Sequence, residues 1–162
     1  MENKIQYTVE KIDSLEKSLL NSNSNYSLLI LENYIGAIKE LRRDLYYLCL
    51  YSDKKSEQTI AVLKEEYVKF CKFNYDLVKT KLLSNVGFAT VISSMLGSYK
   101  WIKPYDTDGS MQKTTEDIIN KLIQDLYNSD CKMKYYRIRG LKHMFGRFKL
   151  DVKQNDSYKS IF

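Results

Sequence analysis

Apolar residues recur at steps of three or four along most of this chain, the spacing that draws one stripe down an α-helix. From Lys4 to Leu20 the stripe is Ile5, Val9, Ile12, Leu15 and Leu19. It resumes from Tyr26 to Tyr51 with Leu31, Ile35, Ile38, Leu41, Leu45 and Leu48, where Glu40, Arg42, Arg43 and Asp44 supply the polar surroundings. A third run, with Ser56 as its expected N-cap, carries Ile60, Leu63, Tyr67, Phe70, Leu77 and Leu82. One proline and six glycines in 162 residues leave few points at which such helices must stop. The expectation is an all-α fold: a five- to six-helix bundle with long antiparallel N-terminal helices and a basic C-terminal helix.

The connections support that reading. Asn21 to Asn25 alternates Asn and Ser, whose side chains compete for backbone hydrogen bonds and end a helix in a turn. Asn85 and Gly87 are expected to break or bend the chain before Phe88 to Trp101, an apolar stretch uncharged until Lys100 and the natural central helix. Its Gly87, Ala89, Ser93, Ser94 and Gly97 would let neighbours approach closely. Lys103 to Ser110, with Pro104 and Gly109, is the strongest turn signal. Asp106, Asp108 and Gly109 within it are a fragment of a calcium loop lacking the closing Glu, so a turn is expected there. Beyond it Thr114 and Asp117 have capping-box spacing and open a helix through Ile118, Ile119, Leu122, Ile123, Leu126 and Tyr127. From Lys132, Ile138, Leu141, Phe145 and Phe148 again step helically; the partial alternation of 134–139 leaves a β-hairpin as the lesser option. The chain thus divides within one domain, 1–162, into a near-neutral helical body (1–101), a loop (102–113) and C-terminal helices with a basic end (114–162).

Several function classes are excluded or demoted by composition. The most apolar window, 86–96, is about half the roughly 20 residues a membrane span needs, so no membrane partner is expected. The polar start, Met1 to Gln6, lacks the pattern of an export signal. Cys49, Cys71 and Cys131 form no close pair and read as core residues of a reducing, cytoplasmic compartment. One histidine and scattered cysteines cannot form a zinc site, and no glycine-rich phosphate loop exists, so no metal or cofactor is expected. Richness in Lys, Asn, Ile and Tyr fits an AT-rich genome, such as that of a low-GC bacterium, its phages or a large DNA virus.

Charge placement carries the functional expectation. Residues 1–131 hold 17 basic against 18 acidic groups, whereas 132–162 hold nine against two. The cationic end interleaves Lys132, Lys134, Arg137, Arg139, Lys142, Arg147 and Lys149 with Tyr135, Tyr136, Phe145 and Phe148, and His143 lies among them. Lys and Arg neutralise phosphates and release counterions, and rings stack on unpaired bases, so the mixture suits a nucleic-acid surface. The same charges would equally steer docking onto an acidic protein surface. Arg137 and His143, with five residues between them, also resemble the Arg-to-His motif of the HEPN ribonuclease superfamily, helical domains that pair to form an RNA-cutting site. The resemblance implies Arg137 as a phosphate stabiliser and His143 in proton transfer; it covers seven residues and departs from the family in placing Ile138 directly after the arginine.

The expected function is therefore a small non-enzymatic nucleic-acid-binding accessory or regulatory protein. Six phosphate contacts, from Lys134, Arg137, Arg139, Lys142, Arg147 and Lys149, would give duplex binding a log–log salt slope of about −5. A protein-binding inhibitor that docks on a host protein is the alternative, a HEPN-like ribonuclease the second, and a homodimer seam along the first three helices is an open expectation.

Overall fold

The computed structural model describes residues 2–21, 28–51, 57–81 and 83–148. Among them run six α-helices and no strand: α1 (Glu2–Asn21), α2 (Leu28–Leu50), α3 (Glu57–Thr80), α4 (Asn85–Ile102), α5 (Ser110–Tyr127) and α6 (Lys134–Phe148), with a 3-10 turn at Lys103–Tyr105 between α4 and α5. The expected all-α bundle is what forms. The Asn-Ser turn after α1 and the Ser56 cap lie outside the described residues.

Helix α4, the most apolar of the six, is the centre of the bundle and packs against α2, α3, α5 and α6. Its Val91, Ile92, Met95, Leu96 and Ile102 are fully buried and complete a core supplied by the periodic stripes, including Ile12, Leu19, Ile38, Leu45, Leu63 and Leu77. Between α3 and α5, Tyr67 donates to Thr115 at 2.6 Å and Tyr75 to Asp125 at 2.5 Å. The similar offset of the two pairs makes these helices parallel. On the other flank Ile138 and Leu141 dock α6.

The structure corrects three local expectations. Helix α4 begins at Asn85, because Ser84 accepts the Gly87 N–H at 3.1 Å as N-cap; Asn85 and Gly87 lie in its first turn and the chain bends before them. A Cβ built on Gly97 meets nothing within 4 Å, so that glycine marks open space and no close approach. Helix α5 begins at Ser110, four residues before Thr114. Its orphan N–H groups are taken by two carboxylates: Asp106 accepts from Met111 at 2.9 Å and Gln112 at 2.8 Å, and Asp108 from Ser110 at 3.1 Å. Gly109 supplies the left-handed step between them, at φ 73°. Thr114 lies inside the helix and donates back to the Ser110 carbonyl.

A fourth correction concerns Arg42. Its place in the α2 stripe, between Ile38 and Leu45, puts it in the core at 0 % exposure. There its guanidinium pairs with Glu16 of α1, donates to the Glu66 carbonyl of α3 at 3.0 Å and lies 4.2 Å from the Phe70 ring centroid. Glu66 is also buried and takes Lys69 at 3.0 Å. One cation thus ties three helices together.

Candidate nucleic-acid interface

Helix α6 presents two unlike faces because its apolar and cationic residues interleave. Ile138 and Leu141 point inward, which turns Tyr136, Arg139 and His143, at steps of three and four, to solvent. Tyr135 and Tyr136 are 45 % and 64 % exposed, and Lys132 lies exposed in the turn just before the helix. Four of the expected site residues therefore lie exposed on one short helix, with Lys132 exposed just before it.

Two others are engaged within the fold. Lys134 donates to the carbonyls of Tyr127 and Ser129, both at 3.2 Å, so its ammonium caps the C-terminal end of α5 where the helix dipole is negative. Arg137 donates from Nε to Asn85 Oδ1 and from Nη2 to the Leu83 carbonyl, both at 2.7 Å, with the guanidinium 5.0 Å from the Phe88 ring centroid. It fastens α6 to the start of α4. Lys142 is half-buried, and that burial lowers its ammonium below the usual lysine range. Arg147 belongs to α6 but its side chain lies outside the described set, as does all of Lys149.

Arg137 and His143 both line a groove between α2, α4 and α6, across which the exposed Lys39 of α2 faces α6. Lys39, and the Asn85 and Leu83 groups that hold Arg137, were not legible in sequence; they lie 52 or more positions from Arg137, and no local pattern links them. Among the described residues no group of three His, Cys, Asp or Glu side chains converges to hold a metal ion, and no helix is long and apolar enough to cross a membrane. Asp106 and Asp108 cap a helix, and the Ser110 N–H and hydroxyl hold the Asp108 carboxyl below the ordinary carboxylate range. Set against protein-family models, curated proteins and solved structures, the chain matches none of them.

Proposed function

We propose that this protein is a non-enzymatic nucleic-acid-binding accessory factor that works through the outer side of α6. The observation that carries the reading is the stripe Tyr136, Arg139 and His143, flanked by Tyr135 and Lys132, all turned to solvent on an element whose inner face is fixed in the core. A ring 64 % exposed beside an arginine has no packing role to explain it, and it suits a base stacked on an aromatic with its phosphate on the guanidinium.

Fluorescence anisotropy with a labelled single-stranded oligonucleotide tests this. Tyr136→Ala is expected to weaken binding about tenfold, since one base–aromatic stack contributes about 1–3 kcal/mol. Arg139→Glu is expected to do at least as much, with the fold unchanged by circular dichroism. With Lys134 and Arg137 held inside, the six contacts expected from sequence fall to four, and the duplex salt slope to about −4. Binding indifferent to salt defeats the reading.

A protein partner is the second reading, and the cluster of Met133, Tyr135 and Tyr136, each at least 45 % exposed, favours it. Methionine and tyrosine are enriched at protein interfaces, and the neighbouring cations would meet an acidic surface. Co-purification of an acidic polypeptide, with weak binding to naked nucleic acid, selects it. Cleavage of RNA by the purified protein that His143→Ala abolishes would instead select the ribonuclease reading.

A further inference from the structure

Helices α2 and α6 both pack on α4 but make little contact with each other. The space between them is a groove of about 830 Å3, floored by α4 from Asn85 to Ser94. At 1.5 Å per residue that floor runs about 13 Å. Ile35 on one wall and Leu141 and Met144 on the other supply aliphatic surface, with Phe88 below and the Tyr136 and His143 rings also on the α6 wall. Gly36 and Gly140 face it from opposite walls, and a Cβ built on either meets nothing within 4 Å. The volume lies within the range of about 300–1,000 Å3 common to small-molecule sites, which are mostly apolar with a few placed polar groups.

The charged groups of the groove are mainly cationic. Lys39 and Arg139 stand at the rim with His143, against the single carboxylate Glu32. Arg137 donates to the neutral acceptors Asn85 Oδ1 and Leu83 O and adds positive charge that these acceptors leave in place. Inside, Ser94 is 4 % exposed and its hydroxyl has no hydrogen-bond partner among the described residues. A buried hydroxyl left unpaired costs free energy.

We infer that this groove is a binding site for an amphipathic organic anion, an acyl-chain carboxylate whose hydrocarbon lies on Ile35, Leu141 and Met144 and whose carboxylate meets Lys39 and Arg139. Ile35, Leu141 and Met144 give a hydrocarbon an aliphatic surface beside the cations, and Asn85, the one amide side chain in the lining, accepts from Arg137 through its Oδ1. The chain's own residues 149–162 have the wrong sign, with three lysines against two aspartates.

Isothermal titration of the full-length protein with dodecanoate tests the assignment. One molecule is expected to bind per chain with a dissociation constant of about 1–100 μM. Gly36→Leu with Gly140→Leu fills the groove from both walls, and binding should weaken at least about tenfold. Helix content should be unchanged in that variant, because leucine is the better helix former. Lys39→Glu with Arg139→Glu should weaken dodecanoate about tenfold while leaving dodecanol unaffected, since only the carboxylate makes charge-assisted hydrogen bonds. The inference falls if dodecanoate does not bind, if dodecanol binds equally well to the unaltered protein, or if the double-leucine variant still binds. It falls too if an acidic amphipathic peptide displaces dodecanoate at a much lower concentration, which would make the groove a helix-docking site. Tyr136, Arg139 and His143 line this groove as well as the outer side of α6, so the double-leucine variant, which keeps all three, is what separates the readings: it should lose dodecanoate and keep oligonucleotide affinity.

Discussion

Two arginines in this molecule each lie over a phenylalanine ring, and their surroundings differ in one respect that divides the protein. Arg42 is fully buried over Phe70 and is neutralised there, by Glu16 and beside Glu66. Arg137 is half-buried over Phe88 and hydrogen-bonded to an amide and a carbonyl, which satisfy its donors without cancelling its charge. The α1–α3 region therefore uses charge as internal structure, whereas the α4–α6 region keeps positive charge at the surface. A region built the first way offers little field to a partner; one built the second way holds a cationic groove and helix face in fixed geometry.

Breaking the inner cluster should have the largest effect. Arg42→Met strands the Glu16 carboxylate in the core and removes the donor to the Glu66 carbonyl, and breaking a buried ion pair in this way costs about 3–5 kcal/mol. Denaturant unfolding should show that loss, and Arg42→Met combined with Glu16→Leu should recover much of it. A single variant as stable as the parent would mean that the charge in this region is not structural.

Arg137→Met should lower stability less, by about 1–3 kcal/mol, as two hydrogen bonds from a half-buried charged group are removed. Its effect on oligonucleotide affinity should be smaller than that of Arg139→Glu. The reverse pattern, an unchanged melting temperature with lost binding, would move Arg137 from the scaffold to the contact surface.

Alkaline pH separates the regions by sign. Burial pushes the Cys71 thiol, in the core beside Tyr67 and Arg42, up to about 12. A raised folded value stabilises the fold below the ordinary thiol range, and that contribution is lost as pH rises toward about 12. Lys142 of α6 is shifted the other way, so its contribution is present above the ordinary lysine value and lost as pH falls through its lowered one. Melting temperature against pH should thus decline less steeply from pH 9 to 11 in Cys71→Ala than in the parent. An identical slope would remove the thiol from the account.

Gly36→Ala should give the smallest change, a gain of about 0.5–1 kcal/mol, because a mid-helix glycine gives way to a better helix former and the added methyl meets open space. A loss of stability there would show that the groove wall is already filled.

The periodic stripes were enough to place the helices, to mark the apolar Phe88 to Trp101 run as the central one, and to set Ile138 and Leu141, both buried in the fold, at helical steps. Burial of apolar side chains is enforced by repeat spacing, and spacing is a local property of the chain. The same rule, applied to position 42 without regard to its charge, would have found the buried arginine. The cationic end was legible as composition, but composition does not say where a side chain's donors go. Lys134 and Arg137 are held by carbonyls and an amide that folding brings to them, whereas Tyr136, Arg139 and His143 are left facing water. The groove was invisible in sequence for the same reason: it exists only because α2 and α6 rest on α4 without closing on each other. Which residues are apolar enough to be covered, and how they repeat, is written in the order of the amino acids; which charges stay available is settled by packing, because hydrogen-bond partners distant along the chain meet only when the helices come together.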